Sequence, residues 1–247
     1  MPTIPTMPIV VLVAPQLGEN IGMCARAMLN CGLDRLRLVA PRDGWPNPAA
    51  RATAADADRV LDRAEVFANI DEALADCQRV LATSARPRSL AIPRWEADVA
   101  AVHVRMACQQ GEQVAILFGA EASGLDNDAA ARAEALIHFP TNPDFASLNL
   151  AQSVLLFGWE WRRTAHVAGN SANPTPAPRA ELDRLIERWE QALDERGFFL
   201  TPDLKPLAQR TLRGFFTRSA PEETEIRFLH GVLTALLRNR APSDSAQ

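Results

Sequence analysis

The stretch Val114-Ala115-Ile116-Leu117-Phe118-Gly119-Ala120-Glu121-Ala122-Ser123-Gly124-Leu125 decides how this 247-residue chain is read. Five uninterrupted apolar residues predict a strand buried on both faces, as in the interior of a parallel sheet. The strand runs into Gly119, and Gly124 follows, so tight backbone geometry and close approach of a ligand are allowed there. Glu121 adds a carboxylate at the strand's carboxyl end, where α/β proteins collect their ligands. The turn has neither the G-x-G-x-x-G pattern of a dinucleotide site nor the Gly-Lys-Ser/Thr of a phosphate loop. A nucleotide-dependent oxidoreductase is therefore remote.

On either side of this stretch, strand and helix signals alternate. Ile9–Val13, Leu36–Val39, Val80–Thr83 and Leu136–Phe139 predict strands. Helices are expected from an Asn20 N-cap to about Asn30, from Pro48 to about Ala64, over Glu96–Gln110, and from Asn149 to about His166. Residues 84–93 read as a loop. Such alternation implies an α/β parallel sheet with right-handed crossovers. The Pro/Asn/Ser-rich stretch 168–179 looks like a linker. Beyond it, Leu182, Leu185, Ile186, Trp189 and Leu193 recur at three- and four-residue steps, the mark of an amphipathic helix. Two further helices, about Lys205–Arg218 and Pro221–Arg240, complete a small helical extension. The expected domains are 1–166, a linker over 167–179, and 180–247.

Composition narrows the class. A hydrophobic fraction of 47% and a charged fraction of 23% are ordinary for a soluble globular protein. No apolar run approaches membrane-spanning length, and residues 1–7 carry no basic side chain, so neither a membrane segment nor a secretory signal is expected. Met7 is a second candidate start. Four cysteines without a C-x-x-C pair suit a reducing cytoplasm. Four scattered histidines offer no zinc spacing, and no metal is expected.

The net charge of −4 disfavours nucleic acid as a partner, but its distribution does not. Cys77–Trp95 holds Arg79, Arg86, Arg88 and Arg94 with no acid. Leu204–Pro221 holds Lys205, Arg210, Arg213 and Arg218, again with no acid. Each run alone reads equally well as a solvated face. Together they suggest local footprints for a polyanion. The chain has no tyrosine and Lys205 is its only lysine. Base stacking must then use Phe, Trp or Arg, and phosphate contacts the guanidinium fork.

Two more segments place polar groups just past a predicted strand. Glu19-Asn20-Ile21-Gly22-Met23-Cys24-Ala25-Arg26 follows the first. Asn142-Pro143-Asp144-Phe145-Ala146-Ser147-Leu148-Asn149-Leu150-Ala151-Gln152-Ser153 follows the last. A Ser or Asn before a helix is ordinarily a cap. Capping explains one of Ser147 and Asn149, not the pair around Leu148. A lone helical Arg26 is ordinarily a surface group, a reading that weakens once all three segments are taken together.

The set Asn-x-Gly-x-x-x-Arg, Phe-Gly-x-Glu-x-x-Gly-Leu and Ser-Leu-Asn-Leu-Ala resembles that of the SpoU (TrmH-type) branch of the SPOUT RNA 2′-O-methyltransferases. Asn142-Pro143, Ser84-Ala85-Arg86 and the helical extension are most similar to the TrmJ group, which methylates the ribose of tRNA nucleotide 32. The resemblance implies a parallel-sheet SPOUT fold closed by a C-terminal trefoil knot, with S-adenosylmethionine bound in the knot. It also implies a homodimer with its active site near the interface. Cofactor contacts would come from Thr83, Ser84, Ala85, Gly119, Phe139, Ser147, Leu148 and Asn149. Arg26 would be the catalytic arginine, with Asn20, Glu121, Ser147 and Asn149 ordering it and the cofactor. RNA would meet Arg26, Arg86, Arg88, Arg210, Arg213 and Arg218. A guanidinium is a poor base, since its pKa exceeds about 12. Arg26 suits a bidentate grip on the neighbouring phosphate better. The alternatives are a related enzyme acting on ribosomal RNA or another tRNA position, and a non-catalytic RNA-binding dimer.

Overall fold

The computed structural model of the chain describes residues 7–85, 91–166, 175–199 and 204–238. Among them, seven strands pair into one sheet: β1 (Ile9–Val13), β2 (Leu36–Val39), β3 (Glu65–Phe67), β4 (Arg79–Thr83), β5 (Arg94–Glu96), β6 (Val114–Phe118) and β7 (Ala135–His138). Their order is β3-β2-β1-β6-β4-β7-β5, and every pairing is parallel. The interior strands are apolar on both faces because both faces are covered. Val10 and Leu12 of β1, with Val114, Ile116 and Phe118 of β6, point into one core. Ile9 and Val11, with Ala115 and Leu117, point into the other. This is the two-residue period of a strand, used on both sides.

The larger core lies under α1 (Gly18–Asn30), α2 (Pro48–Thr53), α3 (Asp58–Asp62), α5 (Ala97–Gln109) and α7 (Leu150–Arg163). The opposite face is covered by α4 (Ile70–Leu74) and α6 (Asn127–Ala130). Helices α1 and α2 pack so closely that a Cβ on Gly22 would stand 2.0 Å from the Ala50 carbonyl oxygen.

Several expected elements are revised. The helix expected over Pro48–Ala64 is α2 and α3, broken where Ala55 and Asp56 take positive φ. The edge strands β3 and β5 and the short helices α4 and α6 have no counterpart in the expected set. Asn20 is not an N-cap: α1 begins at Gly18 after Leu17, and Asn20 is 4% exposed inside the first turn. Of Ser147 and Asn149, it is Asn149 that caps α7, in a reciprocal box with Gln152.

Helices α8 (Arg179–Glu195), α9 (Lys205–Ser219) and α10 (Glu223–Leu237) build a separate small core from Leu182, Leu185, Ile186, Phe216 and Ile226. The stretch expected as a linker is only partly described, and its described end is packed. Ala177 is buried and its N–H donates to the Pro221 carbonyl. The first N–H groups of α8, at Arg179 and Ala180, donate to the carbonyls of Cys77 and Ala75 at 2.7 and 3.1 Å. They thereby satisfy carbonyls just past the end of α4 with donors a helix start leaves over. The Arg179 side chain is 2% exposed, hydrogen-bonds Thr217 at 3.0 Å and faces Asp183.

Two glycine substitutions should have opposite signs. Gly22→Ala should lower unfolding free energy by roughly 1–3 kcal/mol through overpacking against α2. Gly231→Ala, in α10 where a Cβ meets nothing within 4 Å, should raise it by up to about 1 kcal/mol. Denaturant unfolding of both variants measures this, and a harmless Gly22→Ala would contradict the close α1–α2 contact.

Candidate active site

The carboxyl ends of the adjacent strands β1, β6, β4 and β7 open onto one side of the sheet. A cavity of about 230 Å³ lies over the last three, somewhat smaller than the roughly 300–1,000 Å³ usual for ligand sites. Its walls come from Thr83–Ala85 after β4, Phe118–Leu125 after β6, Phe139 after β7, and Ala146–Leu148 with Leu150 and Ser153 at the start of α7. Thr83 donates its hydroxyl to the Leu117 carbonyl at 3.0 Å, and the Ser84 N–H donates to the Ile137 carbonyl. Both bonds fix the β4 exit against its two neighbours.

The turn after β6 closes on itself. The Gly124 N–H donates to the Ala120 carbonyl at 2.7 Å, and Gly124 has φ of +68°. A Cβ on Gly119 would stand 2.2 Å from backbone atoms of Gly124 and Leu125. Glycine is required there by the loop's own backbone, rather than by close approach of a ligand.

Glu121 projects from this turn toward the loop after β1. One carboxylate oxygen accepts from the Gln16 N–H at 2.8 Å. The other accepts from the Leu17 N–H at 3.3 Å and from the Asn20 amide at 2.7 Å. Burial pushes the Glu121 carboxyl upward, but these donors outweigh it, and its pKa lies below the ordinary glutamate value. A carboxylate also suits the positive end of α1.

The bond orientations propagate from there. A carboxylate only accepts, so Asn20 must turn its NH₂ toward Glu121. The Asn20 carbonyl oxygen then faces Asn149 and accepts from its amide nitrogen at 3.0 Å. That leaves the Asn149 oxygen to accept from the Ala151 N–H at 2.8 Å and cap α7. One chain of hydrogen bonds thus joins three segments, with Asn20 101 residues from Glu121 and 129 from Asn149.

The pattern of the SpoU rRNA methylase family matches residues 7–159, and that of the TrmJ C-terminal domain matches residues 180–245. The protein from Sodalis glossinidius named tRNA (cytidine/uridine-2′-O-)-methyltransferase TrmJ is 35% identical over 242 residues, covering 96% of this chain and 94% of that protein. The chain belongs to the SpoU methylase family, in its TrmJ group. A relative from Pseudomonas aeruginosa, named tRNA (cytidine/uridine/adenosine-2′-O-)-methyltransferase TrmJ, is 34% identical and covers 91% of both chains. The crystal structure of TrmJ from Zymomonas mobilis superposes with a TM-score of 0.87 at 47% identity, covering 94% of this chain and all of that one.

Within this TrmJ-group protein, the residues expected for the cofactor fall together. Thr83, Ser84, Ala85, Gly119, Phe139, Ser147 and Leu148 all line the cavity, whereas Asn149 stands behind it in the hydrogen-bond chain. Leu125, Leu150 and Ser153 line it too and were not among the expected residues. Ser153 sits one helical turn after Asn149, a spacing that could have flagged it.

Arg26 departs from expectation. It is exposed on α1 and bonds to neither Asn20, Glu121, Ser147 nor Asn149. Six residues of helix rotate it about 120° from Asn20 and advance it about 9 Å, so the two cannot share a face. The C-terminal basic run is also revised. Lys205 pairs with Asp194, Arg210 with Asp128 and Arg213 with Asp183, each at 2.7 Å. In the other run, Arg79 pairs with Glu112 and Glu134. Arg86 and Arg88 lie outside the described residues. Arg218 is exposed, folds back over Gly214, and makes no ion pair among the described residues.

Because its folded pKa is depressed, Glu121 contributes stability that is present above the ordinary glutamate pKa of about 4.3 and is lost as pH falls through the folded value. Wild type should therefore melt above Glu121→Gln at pH 7, with the lead shrinking below about pH 4. Melting curves between pH 3 and 8 test this, and a gap that does not change with pH would contradict it.

Proposed function

We propose that this protein methylates the 2′-oxygen of a tRNA ribose, at nucleotide 32 of the anticodon loop, using S-adenosylmethionine and acting as a cytoplasmic homodimer. The observation that carries the reading is the reach of the resemblance. The rRNA-methylase pattern covers the sheet domain alone, while α8–α10 match the C-terminal domain of TrmJ proteins. That extension favours tRNA over ribosomal RNA.

The cavity suits the cofactor chemically. Backbone groups at strand ends, small side chains and the apolar surfaces of Leu125, Phe139, Leu148 and Leu150 would hold a nucleoside, and the ionised Glu121 at its wall suits a cation. Bound there, S-adenosylmethionine supplies an electrophilic methyl group. The protein must then hold the ribose hydroxyl in line and favour negative charge on its oxygen. Arg26 is the residue for that task. Its guanidinium would grip the adjacent phosphate through two hydrogen bonds, and it stays cationic throughout.

The exposure of Arg26 supports the dimer. Helices α1 and α7 run side by side, with Asn20 beside Asn149 and Cys31 beside Gly158. Their outward residues include Met23 and Arg26 on α1, and Leu155, Leu156 and Trp159 on α7, the last 59% exposed. Exposed apolar side chains on two helices packed side by side suit cover by a second copy. Covered in this way, Arg26 would complete a site shared between protomers.

Incubation with labelled S-adenosylmethionine and unmodified tRNA or ribosomal RNA, followed by mapping of methylated riboses, tests the substrate. Label at tRNA nucleotide 32 is expected, and label confined to ribosomal RNA would overturn the reading. Arg26→Ala should lower turnover roughly 10²- to 10³-fold, the usual cost of losing a transition-state donor. S-adenosylmethionine affinity, measured by calorimetry, should stay within a few-fold. A folded variant that loses the cofactor would reassign Arg26.

The ion pairs also divide the C-terminal arginines by role. Arg218→Gln should weaken tRNA binding and flatten the log–log salt slope by roughly 0.7 to 0.9, as for one lost phosphate contact. Arg213→Gln should instead lower the unfolding midpoint, because it strips a partner from Asp183 beside buried Arg179. Equal effects of both on the salt slope would contradict this division.

A further inference from the structure

A large aromatic side chain stands in water at the lip of the cavity. Phe145 is 77% exposed, although full burial of such a ring is strongly favoured. It ends the short 3₁₀ turn Pro143–Phe145, and the next three residues, Ala146, Ser147 and Leu148, line the cavity. Its backbone is fixed from both ends. On one side the Asn142 side chain accepts from the Asp144 N–H at 3.1 Å, and the Asn142 carbonyl accepts from the Phe145 N–H at 2.9 Å. On the other, Asn149 is held by α7 and by Asn20. The ring is therefore presented outward from an anchored loop, about one residue from the cavity wall.

We propose that Phe145 is a stacking platform for a nucleobase of the RNA, at or next to the nucleotide whose ribose is methylated. This rests on the RNA-methyltransferase reading above. The surroundings of the ring choose the occupant. Asn142, Asp144, Ser147 and Asn149, close to it in the chain, are polar and exposed, and the loop is set apart in sequence from the apolar surface that a second protomer would cover. That surface is on α1 and α7. Asp144, the residue before the ring, adds negative charge to this exposed loop, which disfavours a phosphate there and leaves the neutral face of a base as the part of an RNA chain that fits. Aromatic stacking also tolerates any base, because each has a π-face. The chain has no tyrosine, which leaves Phe, Trp and Arg for stacking, and Phe145 is the one of these on this loop.

The test is steady-state methylation of an unmodified tRNA transcript by the full chain carrying Phe145→Ala, Phe145→Leu or Phe145→Trp. Loss of one stacked base predicts a tRNA KM raised on the order of tenfold in Phe145→Ala. The same rise is expected in Phe145→Leu, and a near wild-type KM in Phe145→Trp. S-adenosylmethionine affinity, sedimentation and melting temperature should match wild type in all three. An unchanged KM in Phe145→Ala overturns the inference. So does full rescue by leucine, which would mean a general apolar contact, or a loss of dimer or cofactor binding, which would give the ring another partner. Wild-type protein that methylates no tRNA would overturn the underlying reading instead, and the inference with it.

Discussion

A half-buried carboxylate needs donors, and Glu121 takes three from a single segment, the loop and first turn that follow β1. Each of these bonds would be modest in isolation, at about 0.5–1.5 kcal/mol, and stronger for an ionised acceptor. Their consequence is larger than their energy. An ionised Glu121 dictates which way Asn20 faces, and Asn20 dictates which way Asn149 faces. Asn149 can cap α7 only in that orientation. The cavity walls after β6 and before α7 are thus placed by one charge.

The sheet makes this arrangement possible. Parallel strands put their carboxyl ends on one side, so loops distant in sequence arrive as neighbours. The order β1-β6-β4-β7 sets the first turn of α1, bearing Asn20, beside the loop bearing Glu121 and seats the cavity over the remaining ends. What this arrangement leaves outside is equally informative. Arg26 follows Asn20 on the same helix but faces away, toward the surface shared by α1 and α7. In the proposed enzyme the cofactor pocket belongs to one protomer, and the arginine acts where two protomers meet.

Much of this was legible in the chain. Ile9–Val13 and Val114–Phe118 announce themselves because burial on both faces demands unbroken apolar residues. The edge strands do not. Glu65–Phe67 and Arg94–Glu96 are three residues long and partly exposed, so neither alternation nor apolar content marks them. Asn20 misled because local chemistry favours Asn as a cap, and its true partners are 101 and 129 residues away. The partners of the basic run of α9 were hidden for a related reason. A stretch without acids in sequence can still be folded against them, and Asp128, Asp183 and Asp194 neutralise it from other helices. The residues expected at the cavity came from the motif resemblance, whose glycine-bounded turns and Ser-Leu-Asn step sit at strand ends. Leu125, Leu150 and Ser153 complete it only through the three-dimensional course of the chain.

The central claim is that Glu121 and Asn149, which do not touch, act as one unit through Asn20. A double-mutant cycle of Glu121→Gln and Asn149→Ala, read out as S-adenosylmethionine affinity by calorimetry, tests it most directly. A coupling of at least about 0.5 kcal/mol is expected, and it should disappear when the cycle is repeated on Asn20→Ala. Strictly additive losses in the wild-type background, or coupling that survives without Asn20, would contradict it.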